Sequence, residues 1–210
     1  PPTRPAGRRG RLVFAMDATA SREPTWDRAS HIQAEMFEET VALGGLDIQL
    51  CFYRGFHEFE ASPWFHRSAD LHAYMRGVGC VAGLTQIGRV LAHAVAETER
   101  HKVNALVFVG DCMEEDIDAL GHRAGELGLR GVPTFLFQEG VDQAAERAFQ
   151  DIARLTRGAY CRFDASSPQQ LKDLLGAVAV YAAGGRRALE AFGRRRGGSA
   201  LQLTHQVKGD

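Results

Sequence analysis

Apolar residues fall along this chain in two alternating rhythms, one suited to strands and one to helices. Residues 12–16, Leu-Val-Phe-Ala-Met, form a short unbroken apolar run that stops at Asp17, the pattern of a strand covered on both faces. Ala29, Ile32, Met36 and Leu43 then recur at helical spacing until Gly44-Gly45 supplies a stop. Leu46, Ile48, Leu50 and Phe52 alternate with Asp47, Gln49 and Cys51, which suits a second strand, and residues 55–60 fit an antiparallel edge strand.

The same alternation continues to the C-terminal third. A short helix over 68–76 and the glycine-rich stretch 77–83 precede a helix with Ile87, Val90, Leu91, Ala94 and Val95 on one face. Strands are expected at 105–109, 132–137 and 159–163, with helices over 117–127 and 145–155 between them. Ser167-Pro168 reads as an N-cap followed by proline at the first helical position, opening a helix through Leu171, Leu174, Leu175 and Val178. Strands separated by single helices imply right-handed crossovers and a mainly parallel sheet. From Gly184 the pattern decays into glycine and arginine. The expected organisation is therefore a basic tail at 1–10, one domain at 11–183, and a Gly/Arg-rich tail at 184–210 with a single helical turn around 188–192.

Composition narrows the function. The 210 residues hold no run near the ~18 apolar residues that span a bilayer, and residues 1–11 lack the apolar core of a signal peptide. Cys51, Cys80, Cys112 and Cys161 are scattered with no CxxC pair, which predicts a reducing, cytoplasmic setting and neither a disulfide framework nor a zinc site. The net charge of −1 hides an asymmetry, because residues 12–185 carry 24 of the 26 acidic but only 15 of the 25 basic residues. An acidic body gives no reason to expect nucleic-acid binding.

The candidate chemistry lies where such a sheet binds ligands, beyond the C-terminal ends of its strands at a reversal of strand order. The first strand delivers Asp17, Thr19 and Ser21, the glycine-rich loop delivers Thr85, and strand 105–109 delivers Asp111. Two carboxylates and three hydroxyls make an all-oxygen set suited to a hard cation, above all Mg²⁺, with Mn²⁺ or Ca²⁺ as substitutes. If the chain stays extended past the first strand, positions 17, 19 and 21 face one point. Thr85 at a helix start would add free backbone N–H groups for waters or an incoming carboxylate.

These residues resemble the metal-ion-dependent adhesion site of von Willebrand factor type A domains. That pattern is Asp-x-Ser-x-Ser, a distant Thr, and a distant Asp at a strand end; here it reads Asp17-Ala18-Thr19-Ala20-Ser21, Thr85 after Gly83-Leu84, and Asp111 after residues 106–110. Thr19 departs from the usual Ser and keeps the hydroxyl. The resemblance covers about residues 11–183. It implies an α/β Rossmann-like fold, doubly wound, with a mainly parallel six-stranded sheet, helices on both faces and one antiparallel edge strand. It also implies a binding module rather than an enzyme, whose metal captures an Asp or Glu carboxylate of a partner protein. Similar bacterial and intracellular members act as recognition subunits, often beside AAA-type ATPases or metal chelatases, so the resemblance implies an AAA-type ATPase or its substrate as partner.

Two other readings stay open. A phosphatase of the haloacid-dehalogenase type would use Asp17 as nucleophile, but it needs an acid at position 19 and a lysine, and between the two motifs only Lys102 is present. A metal-free structural domain is the third reading. Glu114, Glu115, Asp116 and Asp118 read as first-turn acids of the helix that follows. His31, His93 and His122 read as helix-surface residues, and Cys112 as a buried thiol. Trp26, Phe56, Trp64 and Phe65 either rim the site or pack under loops.

Overall fold

The computed structural model describes residues 9–164 and 167–207. In chain order they form β1 (Gly10–Asp17), a 3₁₀ turn (Ala20–Arg22), α1 (Glu23–Ile32), α2 (Ala34–Glu38), β2 (Leu46–Arg54), β3 (Glu58–Phe65), α3 (Ser68–Arg76), α4 (Ile87–Arg100), β4 (Ala105–Gly110), α5 (Ile117–Leu129), β5 (Thr134–Glu139), α6 (Gln143–Thr156), β6 (Ala159–Phe163), α7 (Pro168–Arg196) and α8 (Gly198–Gln206). The sheet has six strands in the order β3-β2-β1-β4-β5-β6. All neighbours are parallel except β3, which runs antiparallel to β2 at the edge. The expected doubly wound, mainly parallel sheet with one antiparallel edge strand is the architecture observed.

Side-chain alternation along the strands divides the core in two. Leu12, Phe14 and Met16 of β1 join Val107 and Val109 of β4 under α1, α2, α3, α7 and α8. Val13 and Ala15 join Leu106 and Phe108 under α4, α5 and α6. A strand buried on both faces must be apolar at every position, hence the unbroken run at 12–16. The chain winds one way from β1 to β2 and returns on the other side as β4, so the strand order reverses between β1 and β4. Asp17 closes β1 and Asp111 follows β4, which puts both carboxylates at that reversal.

Three expectations need correction. The helix expected through Leu43 breaks into α1, α2 and a 3₁₀ turn at Val41–Leu43, and α1 begins earlier than expected, with a proline in its first turn and Trp26 buried. The described part of the N-terminal tail belongs to the sheet: Gly10 opens β1, and the Arg9 side chain donates to Asp47 and to the backbone of Leu46 and His66. Residues 1–8 of that tail lie outside the described residues.

The C-terminal segment differs most. Residues 184–206, expected as a tail, are helical, and Leu189, Phe192, Ala200 and Leu203 are buried in the first core. Gly185, at φ 72°, turns the chain inside α7 in a conformation that glycine adopts without a Cβ penalty. The arginines are not loose chain either. Arg195 pairs with Glu39, and Arg196 with Glu35 and Glu39, which docks α7 onto α2. Residues 208–210 lie outside the described residues.

Candidate metal centre

Asp17 is fully buried at the end of β1. Its Oδ1 accepts the Thr19 N–H at 2.7 Å, while Oδ2 has no hydrogen-bond partner among the described residues. Burial pushes its pKa up; the Thr19 backbone and hydroxyl oppose this, Asp111 adds to it, and Arg22 lowers it. The chain stays extended only through Thr19 (φ −73°, ψ 162°) and then tightens into the 3₁₀ turn, so Ser21 does not project in step with Asp17 and Thr19. It arrives by the turn instead: Ser21 Oγ donates to Asp111 Oδ2 at 3.4 Å. The second oxygen of Asp111, Oδ1, is buried without a partner.

Thr85 is buried and bonded to the loop that carries Asp111. The Glu114 N–H donates to Thr85 Oγ1 at 3.0 Å, and the Thr85 N–H donates to Glu114 Oε2 at 3.2 Å. The loop before α4 is set by backbone contacts: Val81 N–H donates to Ala18 O at 3.0 Å, and Leu84 N–H to Gly55 O at 3.1 Å. A Cβ on Gly83 would lie 1.8 Å from the Gly55 carbonyl oxygen, so only glycine permits this approach. The free N–H groups expected at the start of this helix are taken. Glu115 accepts from Ile87 N at 2.5 Å and from Gly88 N at 2.8 Å. Glu114 and Glu115 thus bond to residues at the start of α4 rather than serving as first-turn acids of α5; Asp116 is the N-cap of α5, accepting from Ala119 N at 2.7 Å.

Of two further neighbours of the site, sequence reasoning missed Arg22 and took Cys112, which is only half-buried, for a buried thiol. Arg22 is buried, with Nη1 2.5 Å from Glu139 Oε2 and 3.7 Å from Asp111 Oδ2. The shorter distance decides where its charge goes: Arg22 neutralises Glu139 first, leaving Asp17 and Asp111 largely uncompensated. Cys112 is the other. Donor atoms of Asp17, Asp111 and Cys112 all lie within 4.8 Å of one another. Its thiol is half-buried and pushed up to about 12, by burial first and then by Asp111. Adjacency to Ser21 and to Asp111 was the only signal the sequence offered for either residue. The Tyr53 hydroxyl is also buried without a partner, and its pKa is raised by burial and by Asp17, Cys112, Glu115 and Asp111.

A fully buried carboxylate beside a second one, with an orphaned oxygen on each, is costly in its charged form unless a cation bridges the two. The donor set fits a divalent ion: two carboxylates, plus hydroxyls of Thr19, Ser21 and Thr85 that carry no charge of their own. The lysine that phosphatase chemistry needs is elsewhere, because Lys102 Nζ donates to the carbonyls of Arg130 (2.6 Å) and Gly131 (2.8 Å). Of the four aromatic rim candidates, three pack: Trp26 against Phe52, Trp64 under Arg11, and Phe65 against Tyr74. Only Phe56 is exposed. His93 is not a surface residue, since it is half-buried and bonded to Gln49 Oε1 at 2.9 Å.

No protein-family profile and no curated protein matches the sequence. Solved structures do match the fold. A von Willebrand factor type A protein from Catenulispora acidiphila superposes at TM-score 0.69 and 12% identity, over 83% of this chain and 43% of that one. Proximal thread matrix protein 1 from the mussel byssus, with a zinc-occupied metal-ion-dependent adhesion site, gives 0.64 at 14% identity, over 83% of this chain and 46% of that one. The SpRpn10 VWA domain gives 0.61 at 13% identity, over 85% and 98%. The chain spans under half the length of the first two.

Proposed function

We propose that this chain, which has the fold of von Willebrand factor type A domains, is a metal-dependent protein-binding module. The ion is divalent and held by Asp17, Thr19, Ser21, Thr85 and Asp111; for these five oxygen donors alone Mg²⁺ is the natural occupant. The observation that carries the reading is the pair of buried oxygens, Asp17 Oδ2 and Asp111 Oδ1, neither of which has a partner. The two carboxylates only just cancel the ion's charge and the hydroxyls add none, so an Asp or Glu carboxylate of a partner protein can still complete the coordination shell. Zinc in the corresponding site of the mussel protein supports a divalent ion there.

The surroundings of the site suit a protein partner. Phe56, Val81, Leu84 and Ile117 are large apolar side chains left exposed. The first three are brought together by the hydrogen bonds of Gly55 with Val81 and Leu84. Exposed apolar side chains beside a charged anchor supply contacts that exclude water from it when a partner docks. A partner on an AAA-type ATPase or its substrate is the form the family resemblance suggests.

The test is retention of a partner from lysate by the full chain, with and without EDTA, beside Asp17→Asn. The reading predicts retention that EDTA abolishes and that Asp17→Asn lacks. Retention unaffected by both would place partner binding elsewhere. Turnover of a generic aryl phosphate by the wild type, absent in Asp17→Asn, would favour the hydrolase reading instead.

A further inference from the structure

We infer that Cys112 is a metal ligand of this site and makes it select thiophilic ions, Zn²⁺ before Mg²⁺. The inference deepens the proposed function and rests on its metal centre. Its first observation is geometric: the Cys112 sulfur and one oxygen each of Asp17 and Asp111 lie mutually within 4.8 Å. Zinc bonds are about 2.3 Å to sulfur and about 2.0–2.2 Å to oxygen. Donors that share one ion are therefore separated by at most about 4.5 Å, and small side-chain rotations close the difference. The second observation is independent of the cysteine: Asp17 is fully buried with Oδ2 unpartnered, beside the other two donors.

Ligand softness then decides the ion. Hydroxyls and carboxylates alone suit Mg²⁺, which gains nothing from a thiolate. Sulfur adds a strong bond for Zn²⁺ or Co²⁺, and the divalent affinity order runs the same way. On binding, the thiol proton is released to solvent and sulfur donates to the metal. Asp17, Asp111 and Cys112 supply three protein ligands, the number that leaves a tetrahedral ion one open position. That position is left to one of the neutral hydroxyls of Thr19, Ser21 or Thr85, or to a donor from the partner.

Cobalt titration of the metal-stripped full chain reports on sulfur directly. The wild type should develop a thiolate-to-cobalt charge-transfer band in the near ultraviolet, together with visible d–d bands. Zn²⁺ should bleach both at one equivalent, and a large excess of Mg²⁺ should not. Cys112→Ser keeps Cys51, Cys80 and Cys161; it should lose the charge-transfer band, keep d–d bands, and bind Zn²⁺ more weakly by about tenfold or more. Cobalt d–d bands in the wild type without charge transfer would overturn the role of Cys112 and leave the oxygen site standing. A charge-transfer band that persists in Cys112→Ser, or Mg²⁺ displacing cobalt as readily as Zn²⁺, would also overturn it. No cobalt binding at all would overturn both this inference and the metal centre.

Discussion

Thr85 and Glu114 hold each other twice, through Glu114 N–H to Thr85 Oγ1 at 3.0 Å and Thr85 N–H to Glu114 Oε2 at 3.2 Å. The reciprocal pair locks the loop before α4 to the loop that carries Asp111. It leaves the Thr85 hydroxyl with its proton and one lone pair still available. Thr85→Ala strands the Glu114 N–H and should cost about 1–2 kcal/mol in denaturant unfolding. Thr85→Ser should restore nearly all of it. A loss in the serine variant as large as in the alanine variant would show that packing of the methyl, not the hydrogen bond, matters.

A second prediction concerns α8, which covers the exposed edge of β6. Gln206 caps that edge: its Oε1 accepts from Tyr160 N at 3.0 Å and its Nε2 donates to Tyr160 O at 2.8 Å. Leu203 is fully buried. Leu203→Ala should lose roughly 2–4 kcal/mol, and truncation before residue 197 should lower the cooperativity of unfolding and promote edge-to-edge association. An unchanged melting curve after truncation would show that α8 is dispensable.

Buried charge makes the third. Arg22 and Glu139 form an ion pair inside the site wall, with Thr25 Oγ1 also donating to Glu139. Arg22→Ala should cost about 1.5–3 kcal/mol, because it removes the charge-assisted hydrogen bond to the partly buried Glu139 carboxylate. Arg22→Met combined with Glu139→Leu should recover most of that stability. A double variant no better than the single one would mean that the pair is not coupled.

The fourth is a pH dependence. Burial lowers the His93 pKa, with Glu97 opposing and Arg100 adding to the effect. The unfolded chain then binds more protons than the native protein between that lowered value and about 6.5. Stability contributed by neutral His93 is therefore present above about pH 6.5 and lost as the pH falls through the native value. His93→Gln, which can still donate to Gln49, should flatten this part of the stability profile. An identical profile in the variant would assign the slope to other groups.

Much of this arrangement is legible in the sequence because the sheet is buried on both faces. Runs such as 12–16 and 105–109 admit few readings, and an apolar strand that ends at an acid marks the ligand-binding edge without further help. The C-terminal helices were not legible for a physical reason. Residues 186–196 place five arginines around two core residues, Leu189 and Phe192, and their acidic partners Glu35 and Glu39 lie some 150 residues earlier. Composition alone resembles solvated chain; only the tertiary pairing makes it a packed helix. Arg22 and Cys112 escaped for a related reason, since neither belongs to a spaced motif and each is significant only once β1, β4 and β5 lie side by side.

The central claim is that Asp17 and Asp111 bind one divalent ion, and metal-linked stability tests it most directly. The metal-stripped full chain is melted with increasing Zn²⁺ or Mg²⁺, beside the double variant Asp17→Asn with Asp111→Asn. A ligand that binds only the native state stabilises it by mass action, by about 2.7 kcal/mol at a hundredfold excess over the dissociation constant. The wild type should rise in melting temperature to that extent, and the double variant should not rise at all. Without metal the variant should be at least as stable as wild type, because it relieves the repulsion between the fully buried Asp17 carboxylate and its neighbour Asp111. A wild type indifferent to every divalent ion, or equal shifts in both proteins, would contradict the metal centre.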